Sequence, residues 1–335
     1  MIRTKWLHNL TDDGYFIFKP LFASAEAYNG RMRKALMIGS TVADVMIRVD
    51  HLPALEEDVN PFGQTVALGG CCYNAANILS LYSLPFTLFS PVGTGVFGAF
   101  VRNRLKERGI EPVLCPEEEN GCCYCIVDAE GNRTFMAVHG AEYRFKKEWF
   151  DTLDTESYTD AYVCGLELEE DSGVHIVSFL QSHPHLQVFF APSSRILAVP
   201  DERMDAVLAC HPVLHLNRRE SVSWLMKRGY LEHEDVSAEE LTERLYRCSG
   251  NTVIMTDGVK GAWAYDGTKH YFEPAVPVKT VDGTGAGDCH IGTMIACSMM
   301  GMDLQESLQT AARNSAAVVG MQGAALSREC FDRIR

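Results

Sequence analysis

From Ala35 onward, short apolar runs alternate with stretches of helical period, and this alternation constrains the fold more than any other feature of the chain. Ala35–Gly39, Thr87–Val92, Ala161–Cys164, Val188–Ala191, Val213–Leu216 and Thr252–Met255 read as strands. Cys72–Leu81, Phe97–Arg108, Val174–Ser182 and Leu241–Cys248 read as the helices between them. Strands alternating with helices give a mostly parallel sheet covered by helices on both faces, because right-handed crossovers return each helix onto the sheet. A doubly wound sheet of this kind holds its ligand outside the carboxyl ends of its strands.

Two stretches break the alternation. Val45–Val49 with Thr65–Leu68, and Cys123–Val127 with Thr134–Val138 across Asp128-Ala129-Glu130-Gly131-Asn132, alternate with period two and predict two antiparallel pairs. Segments of about 45–69 and 121–140 would then form a small accessory sheet beside the main site, placed to act as a lid that excludes water. Residues 1–34 read as an extension of undetermined role, with Asp12-Asp13-Gly14, Asn29-Gly30 and Arg31-Met32-Arg33-Lys34 interrupting any period. Met32 lies just before the first strand, so an alternative start and a functional arm both stay open. Residues 35–335 are expected to form one domain.

The 335 residues are 47% hydrophobic, enough to fill a sizeable core, and carry a formal net charge of −14 with a pI near 5.2. That balance opposes a nucleic-acid partner, which requires a Lys/Arg-rich face, and favours a small ligand. Any bound phosphate must be held locally, by backbone amides or a metal, against the overall field. Met1–Pro20 is too polar for a secretory signal, so the twelve cysteines are expected to be reduced thiols. Cys122, Cys123 and Cys125 with Cys71 and Cys72 lack zinc-ribbon spacing and read as small buried residues. No apolar run approaches the ~20 residues that span a bilayer. The expectation is a soluble, cytoplasmic protein without membrane contact.

The chemistry concentrates in Val281-Asp282-Gly283-Thr284-Gly285-Ala286-Gly287-Asp288. Gly285, Ala286 and Gly287 open an apolar helical run, and a helix start offers unpaired amides and a positive dipole end to a terminal phosphate. Asp288 follows on the first turn, where a carboxylate can take the proton of an attacking hydroxyl. A short Gly-rich turn with a first-turn acid would by itself more often be structural.

The segment closely resembles the D-T-x-G-A-G-D signature of the ribokinase-like, or PfkB-type, carbohydrate kinases, with Gly283 where Thr is usual and His290 where Phe is common. Further pieces of that pattern follow in the right order over nearly all of the chain from Ala35. The resemblance implies a three-layer αβα sandwich with a small β-sheet lid, and it implies site residues. Asp44, after Gly39-Ser40-Thr41-Val42-Ala43, would bind two sugar hydroxyls, as an acceptor-only carboxylate can. In Gly69-Gly70-Cys71-Cys72-Tyr73-Asn74, Gly70 lets the backbone approach the ligand and Asn74 offers a donor and an acceptor. Glu167 falls at the ligand edge after a strand and is a further substrate candidate, although acidic loop residues are usually just solvated.

For the nucleotide, the resemblance assigns Asn217 and Glu220 of Asn217-Arg218-Arg219-Glu220, with Glu220 organising Mg²⁺ through water. It also assigns Thr256, Gly258 and Gly261 of the following loop, and Asn314, flanked by Arg313 and Ser315 in Leu304–Met321, beside the adenine. Oxygens near Asp282, Thr284 and Gly320–Gly323 are candidates for a K⁺ ion. The implied reaction is in-line transfer from ATP to a hydroxyl, with Asp288 as base and the Gly285–Gly287 amides plus Mg²⁺ stabilising the transferring group.

Val42 stands where ribose-specific members commonly carry Asn, so ribose is not favoured. Near the lid Arg133 is almost the sole cation, so a free sugar is preferred to a sugar phosphate. A nucleoside is the strongest rival, with Phe62, Tyr124 or Phe135 available for a base pocket. A non-catalytic sugar sensor is the alternative from another class, opposed by the retained Asp288. Homodimerisation through the lid is a further expectation.

Overall fold

The computed structural model of the chain describes residues 33–334, together with residues 9–10 and 16–17. The latter are β1 (Asn9–Leu10) and β2 (Phe16–Ile17), an antiparallel pair within the 1–34 stretch. The first half continues with β3 (Ala35–Ile38), β4 (Val42–Arg48), β5 (Gly63–Gly69), α1 (Cys71–Leu81), β6 (Phe86–Phe89), α2 (Gly95–Glu107), β7 (Cys122–Val127), β8 (Arg133–Val138), α3 (Lys147–Phe150) and β9 (Asp160–Cys164). After α4 (Leu166–Glu169) and α5 (Gly173–Ser182) come β10 (Gln187–Ala191), α6 (Asp201–Leu208), β11 (Val213–Asn217), α7 (Arg218–Lys227), α8 (Ala238–Ser249) and β12 (Val253–Thr256). A hairpin of β13 (Ala262–Tyr265) and β14 (His270–Glu273) precedes α9 (Ala286–Met299), α10 (Leu304–Val319) and α11 (Arg328–Ile334).

Six strands in the order β6-β3-β9-β10-β11-β12 run parallel, and β13 and β14 extend the sheet antiparallel at the β12 edge. Side chains of β3 alternate between two cores: Ala35 and Met37 face α1, α2, α9 and α10, whereas Leu36 and Ile38 face α5 to α8. The sheet is therefore the middle of three layers, as expected. From β3 the chain reaches β6 on one side, then crosses to β9 on the other. The carboxyl ends of β3 and β9 are consequently where successive connections diverge, the switch point that leaves a crevice for a ligand.

The strands expected from the sequence are present with small shifts. β6 stops at Phe89 instead of Val92, since Pro91 has no amide for a ladder and makes only a single bridge to Leu114. The β13–β14 hairpin was not anticipated as a pair of strands, although its Asp266-Gly267 turn is a hairpin signal: Asp266 accepts from the amides of Thr268 and Lys269 at 2.8 Å each. In the small sheet the two predicted antiparallel pairs are fused by a parallel pairing of β4 with β7, giving the order β5-β4-β7-β8.

Helices α1 and α9 pack closely because α9 presents Gly292, where any Cβ would stand 2.5 Å from the carbonyl oxygen of Ala75. Asn74 on α1 and Asp288 on α9 are carried to the same place by this contact.

Candidate active site

At the end of β3 the backbone turns sharply, and the amide of Ser40 donates to Oε1 of Glu167 at 2.7 Å. Glu167 lies on α4, just beyond β9, so this bond spans the switch point. Its side chain is completely buried, burial raises its pKa, and Oε2 has no hydrogen-bond partner among the described residues. The sequence suggested a solvated loop acid as the ordinary reading; the residue is instead interior, with an acceptor oxygen in reserve.

Gly70 caps α1 in the left-handed region at φ 98°, and a Cβ there would sit 2.6 Å from the Ser40 carbonyl oxygen. Only glycine lets this turn lie against β3. One turn later Asn74, buried, donates from Nδ2 to Oδ2 of Asp288 at 2.8 Å, while its Oδ1 is left without a partner. The Cys71 thiol also favours the Asp288 anion. Burial outweighs both and lifts the Asp288 carboxyl to about 6.

Asp288 stands in the first turn of α9, whose cap Gly285 has φ 77° and lies so close to the Ala324 backbone that no side chain fits. Among the described residues no carbonyl accepts from the amides of Gly287 or Asp288, and a Cβ on Gly287 would meet nothing within 4 Å. The turn thus joins unpaired N–H groups to open space, a cradle suited to an anion.

Asp44 on β4 faces this turn from the small sheet. Burial, then the charges of Asp288 and Asp282, push its carboxyl up to about 7. Asp282 itself is held low: burial opposes ionisation, but the Thr284 amide at 2.9 Å, the Gly323 amide at 3.3 Å and the Arg133 guanidinium at 2.8 Å favour the anion and prevail. Arg133 was set aside in the sequence as an isolated cation. Strand register could have found it, since Arg133, Phe135 and Ala137 pair through Val127, Cys125 and Cys123 with Arg48, Met46 and Asp44, all on one face.

Asn217 and Thr256 are register partners at the carboxyl ends of β11 and β12. Asn217 and Glu220 form a reciprocal capping box at the start of α7, with Glu220 N to Asn217 Oδ1 at 2.8 Å and Asn217 N to Glu220 Oε2 at 3.0 Å. Burial raises the Glu220 carboxyl, and the negative charge of Asp288 adds to the effect. Gly258 (φ 53°) opens the loop after Thr256 and faces open space, whereas Gly261 (φ 111°) sits against the β14 backbone and serves the hairpin. Asn314 is not brought to this cluster: it is 3% exposed and donates to Thr293 Oγ1 at 3.0 Å and to the Tyr82 hydroxyl at 3.2 Å. Its neighbour Ser315 reaches the α9 start instead, donating to the Ala286 carbonyl at 3.2 Å.

The sequence pattern described as pfkB family carbohydrate kinase matches residues 32–329. The chain belongs to this family. Among curated relatives of this pfkB-type kinase, an uncharacterized sugar kinase of Escherichia coli (strain K12), YegV, is 27% identical over 292 residues, covering 87% of this chain and 90% of that one. The ribokinase of Thermotoga maritima shares the fold with a TM-score of 0.75 at 19% identity, over 90% of this chain and 99% of its own. A putative ribokinase II from E. coli, in complex with ATP and Mg²⁺, superposes with a TM-score of 0.71 at 21% identity, over 90% and 100%. Carbohydrate kinase is thus the enzyme class. No helix among the described residues is long and apolar enough to cross a membrane.

The raised Asp44 carboxyl makes stability depend on pH. Between its ordinary value of 3.8 and about 7 the unfolded chain ionises Asp44 while the folded chain keeps it protonated, so stability falls as pH rises through that window. Asp44→Asn, which cannot ionise, is expected to melt above the wild type at pH 8, with the difference shrinking towards pH 4. Thermal unfolding of both proteins at the two pH values checks this, and an equal difference at both would contradict it.

Proposed function

We propose that this kinase transfers the γ-phosphoryl group of ATP directly to a hydroxyl of a free, uncharged sugar, with Asp288 as general base. The observation that carries the reading is the Asn74–Asp288 hydrogen bond. It aims a carboxylate of raised pKa at the space beside the unpaired amides of the α9 turn. A base with pKa near 6 is ionised at neutral pH yet basic enough to take a proton in the transition state. The amides of Gly287 and Asp288 would hold the oxygens of the transferring group, whereas the Ala286 amide of the expected Gly285–Gly287 set is taken by the Gly283 carbonyl, and no covalent intermediate on the protein is required.

Mg²⁺ would supply charge neutralisation on the nucleotide phosphates when bound. Glu220 fits it: Oε2 is spent in the capping box, and the other oxygen remains for a metal-bound water. Mg²⁺ keeps several of its waters and leans on phosphate oxygens, so a single protein carboxylate acting through water suits it. Asn217, Thr256 and Gly258 line the same strand ends for the nucleotide. A monovalent cation at Asp282 fits poorly, because that carboxylate already faces Arg133 and two amides.

For the substrate, Asp44 at the edge of the small sheet supplies a carboxyl and so suits hydroxyl groups, whereas Asn74 Oδ1 and Glu167 Oε2 lie beneath the surface and back the site from inside. A carboxylate or phosphate on the substrate would meet Asp44 and Asp288, while Arg48 and Arg133 stand at the far end of that face and Arg133 is already held by Asp282. A nucleoside gains less support, because of the β-strand residues offered for its base only Phe135 shares the Asp44 face, Tyr124 lying on the other. The small sheet would act as the lid. Its opposite face carries a row of Val66, Tyr124 and Met136, with Val138 beyond, and Val66, Met136 and Val138 are 39%, 51% and 53% exposed. We include self-association through this row.

Two measurements test the reading. ATP consumption over a panel of sugars, sugar acids and nucleosides should respond to a neutral sugar in the presence of Mg²⁺, and Asp288→Asn should keep the fold while cutting turnover by on the order of 10²–10⁴. Near-normal turnover in that variant would remove Asp288 from its role, and silence across the panel would favour the sensor alternative. Sedimentation velocity of wild type and Met136→Glu should show a dimer only in the former; a wild-type monomer at micromolar concentration would refute association.

A further inference from the structure

Arg133 begins β8, at the end of the small sheet farthest from Asp44 along the shared face. Its guanidinium leaves that sheet. Nη1 lies 2.8 Å from Oδ1 of Asp282 and donates to Oγ1 of Thr284 at 3.1 Å. The two partners are 149 and 151 residues away in sequence, on the turn that begins α9. The Arg133 side chain is 22% exposed and that of Asp282 only 6%, so the pair is largely shielded from solvent.

Asp282 is also the point that fixes the turn. One of its oxygens takes the Thr284 amide and the other the Gly323 amide, and its own amide bonds to the Val319 carbonyl. Thr284 precedes Gly285, whose left-handed backbone aims the following amides outward. A guanidinium that grips both Asp282 and Thr284 therefore acts three residues before the first cradle amide, that of Gly287. If the small sheet lifted away, Asp282 would lose its cation and Thr284 its guanidinium donor, leaving the turn with fewer restraints and free to rearrange.

Resting on the reading of the small sheet as a lid, we infer that Arg133 is a positioning residue that couples closure of the sheet to the shape of the anion-binding turn. Sheet down, the guanidinium neutralises Asp282 and holds Thr284, and the Gly287 and Asp288 amides are ordered for a phosphoryl group. Sheet up, the turn loosens. The proton transfer and the phosphoryl transfer are unchanged in kind; Arg133 touches neither reacting atom.

The test compares wild type with Arg133→Met, which keeps the aliphatic bulk, and Arg133→Lys, which keeps the charge without the fork. Amide hydrogen exchange of the unliganded proteins, read on peptides spanning 281–290 and 322–326, should be at least ~10-fold faster in Arg133→Met than in wild type, intermediate in Arg133→Lys, and unchanged over β9–β11. In turnover, kcat should fall at least ~10-fold with the sugar KM within ~3-fold, and the ratio of ADP formed to sugar phosphorylated should rise above one as water gains access. Unchanged exchange over 281–290 would overturn the inference, and so would acceleration spread evenly over the chain, which signals general destabilisation. If Arg133→Met does not fold, Arg133→Lys decides by the same comparison. Exchange needs no substrate, so it judges this coupling even should the sugar panel fail.

Discussion

The hydrogen bond from Asn74 to Asp288 depends on almost everything else in the molecule being in place, and on this reading the chemistry depends on it. Asn74 arrives on α1 because Gly70 bends the chain against the end of β3, and Asp288 arrives on α9 because Gly285 turns against Ala324. The two helices meet because Gly292 lets α9 lie on the Ala75 backbone. Three glycines, each at a place where a Cβ would collide with main chain, thus bring a carboxylate to the mouth of a helix N-terminus. Sheet and helix packing supply the stability; these contacts supply the position.

Electrostatics sets the second constraint. The chain is strongly acidic, and the site gathers Asp44, Asp288, Glu167 and Asp282 at the switch point. Burial lifts Asp288 to about 6, and burial with the charges of Asp288 and Asp282 lifts Asp44 to about 7. Asp282 is the exception, kept ionised by Arg133 and two amides. This division suits the proposed transfer: two carboxylates close to the pH at which protons move, and one fixed charge that shapes the turn. On the proposed reading, it leaves phosphate recognition to backbone amides instead of a basic patch.

Much of this was legible in the sequence, for identifiable reasons. The parallel sheet announced itself because its strands are short apolar runs separated by helical periods, and the Asp282–Asp288 segment because it matches a longer signature whose other pieces follow in order along the chain. What failed to show was whatever depends on contacts across long separations. The parallel pairing of β4 with β7, which fuses two hairpins into one sheet, has no local signature. Glu167 looked like a loop acid because nothing nearby in sequence reveals the Ser40 amide, 127 residues away, that holds it inside. Asn314 and Ser315 both meet α9 but at different heights, Asn314 at buried Thr293 in its middle and Ser315 at the Ala286 carbonyl of its first turn, a difference that an unaligned motif does not fix. Arg133 looked isolated because its partner lies 149 residues on.

The central claim is that Asp288, with Asp44 beside it, must be ionised for the hydroxyl to react. The pH dependence of kcat/KM for the responding sugar tests it most directly, since that parameter reports ionisations of the free enzyme. The expected profile falls in acid with its inflection between about 6 and about 7, well above the ordinary carboxylate range. A rate that holds level down to pH 5 would mean that neither carboxyl is raised as the site geometry requires, and would contradict the assignment of Asp288 as the base.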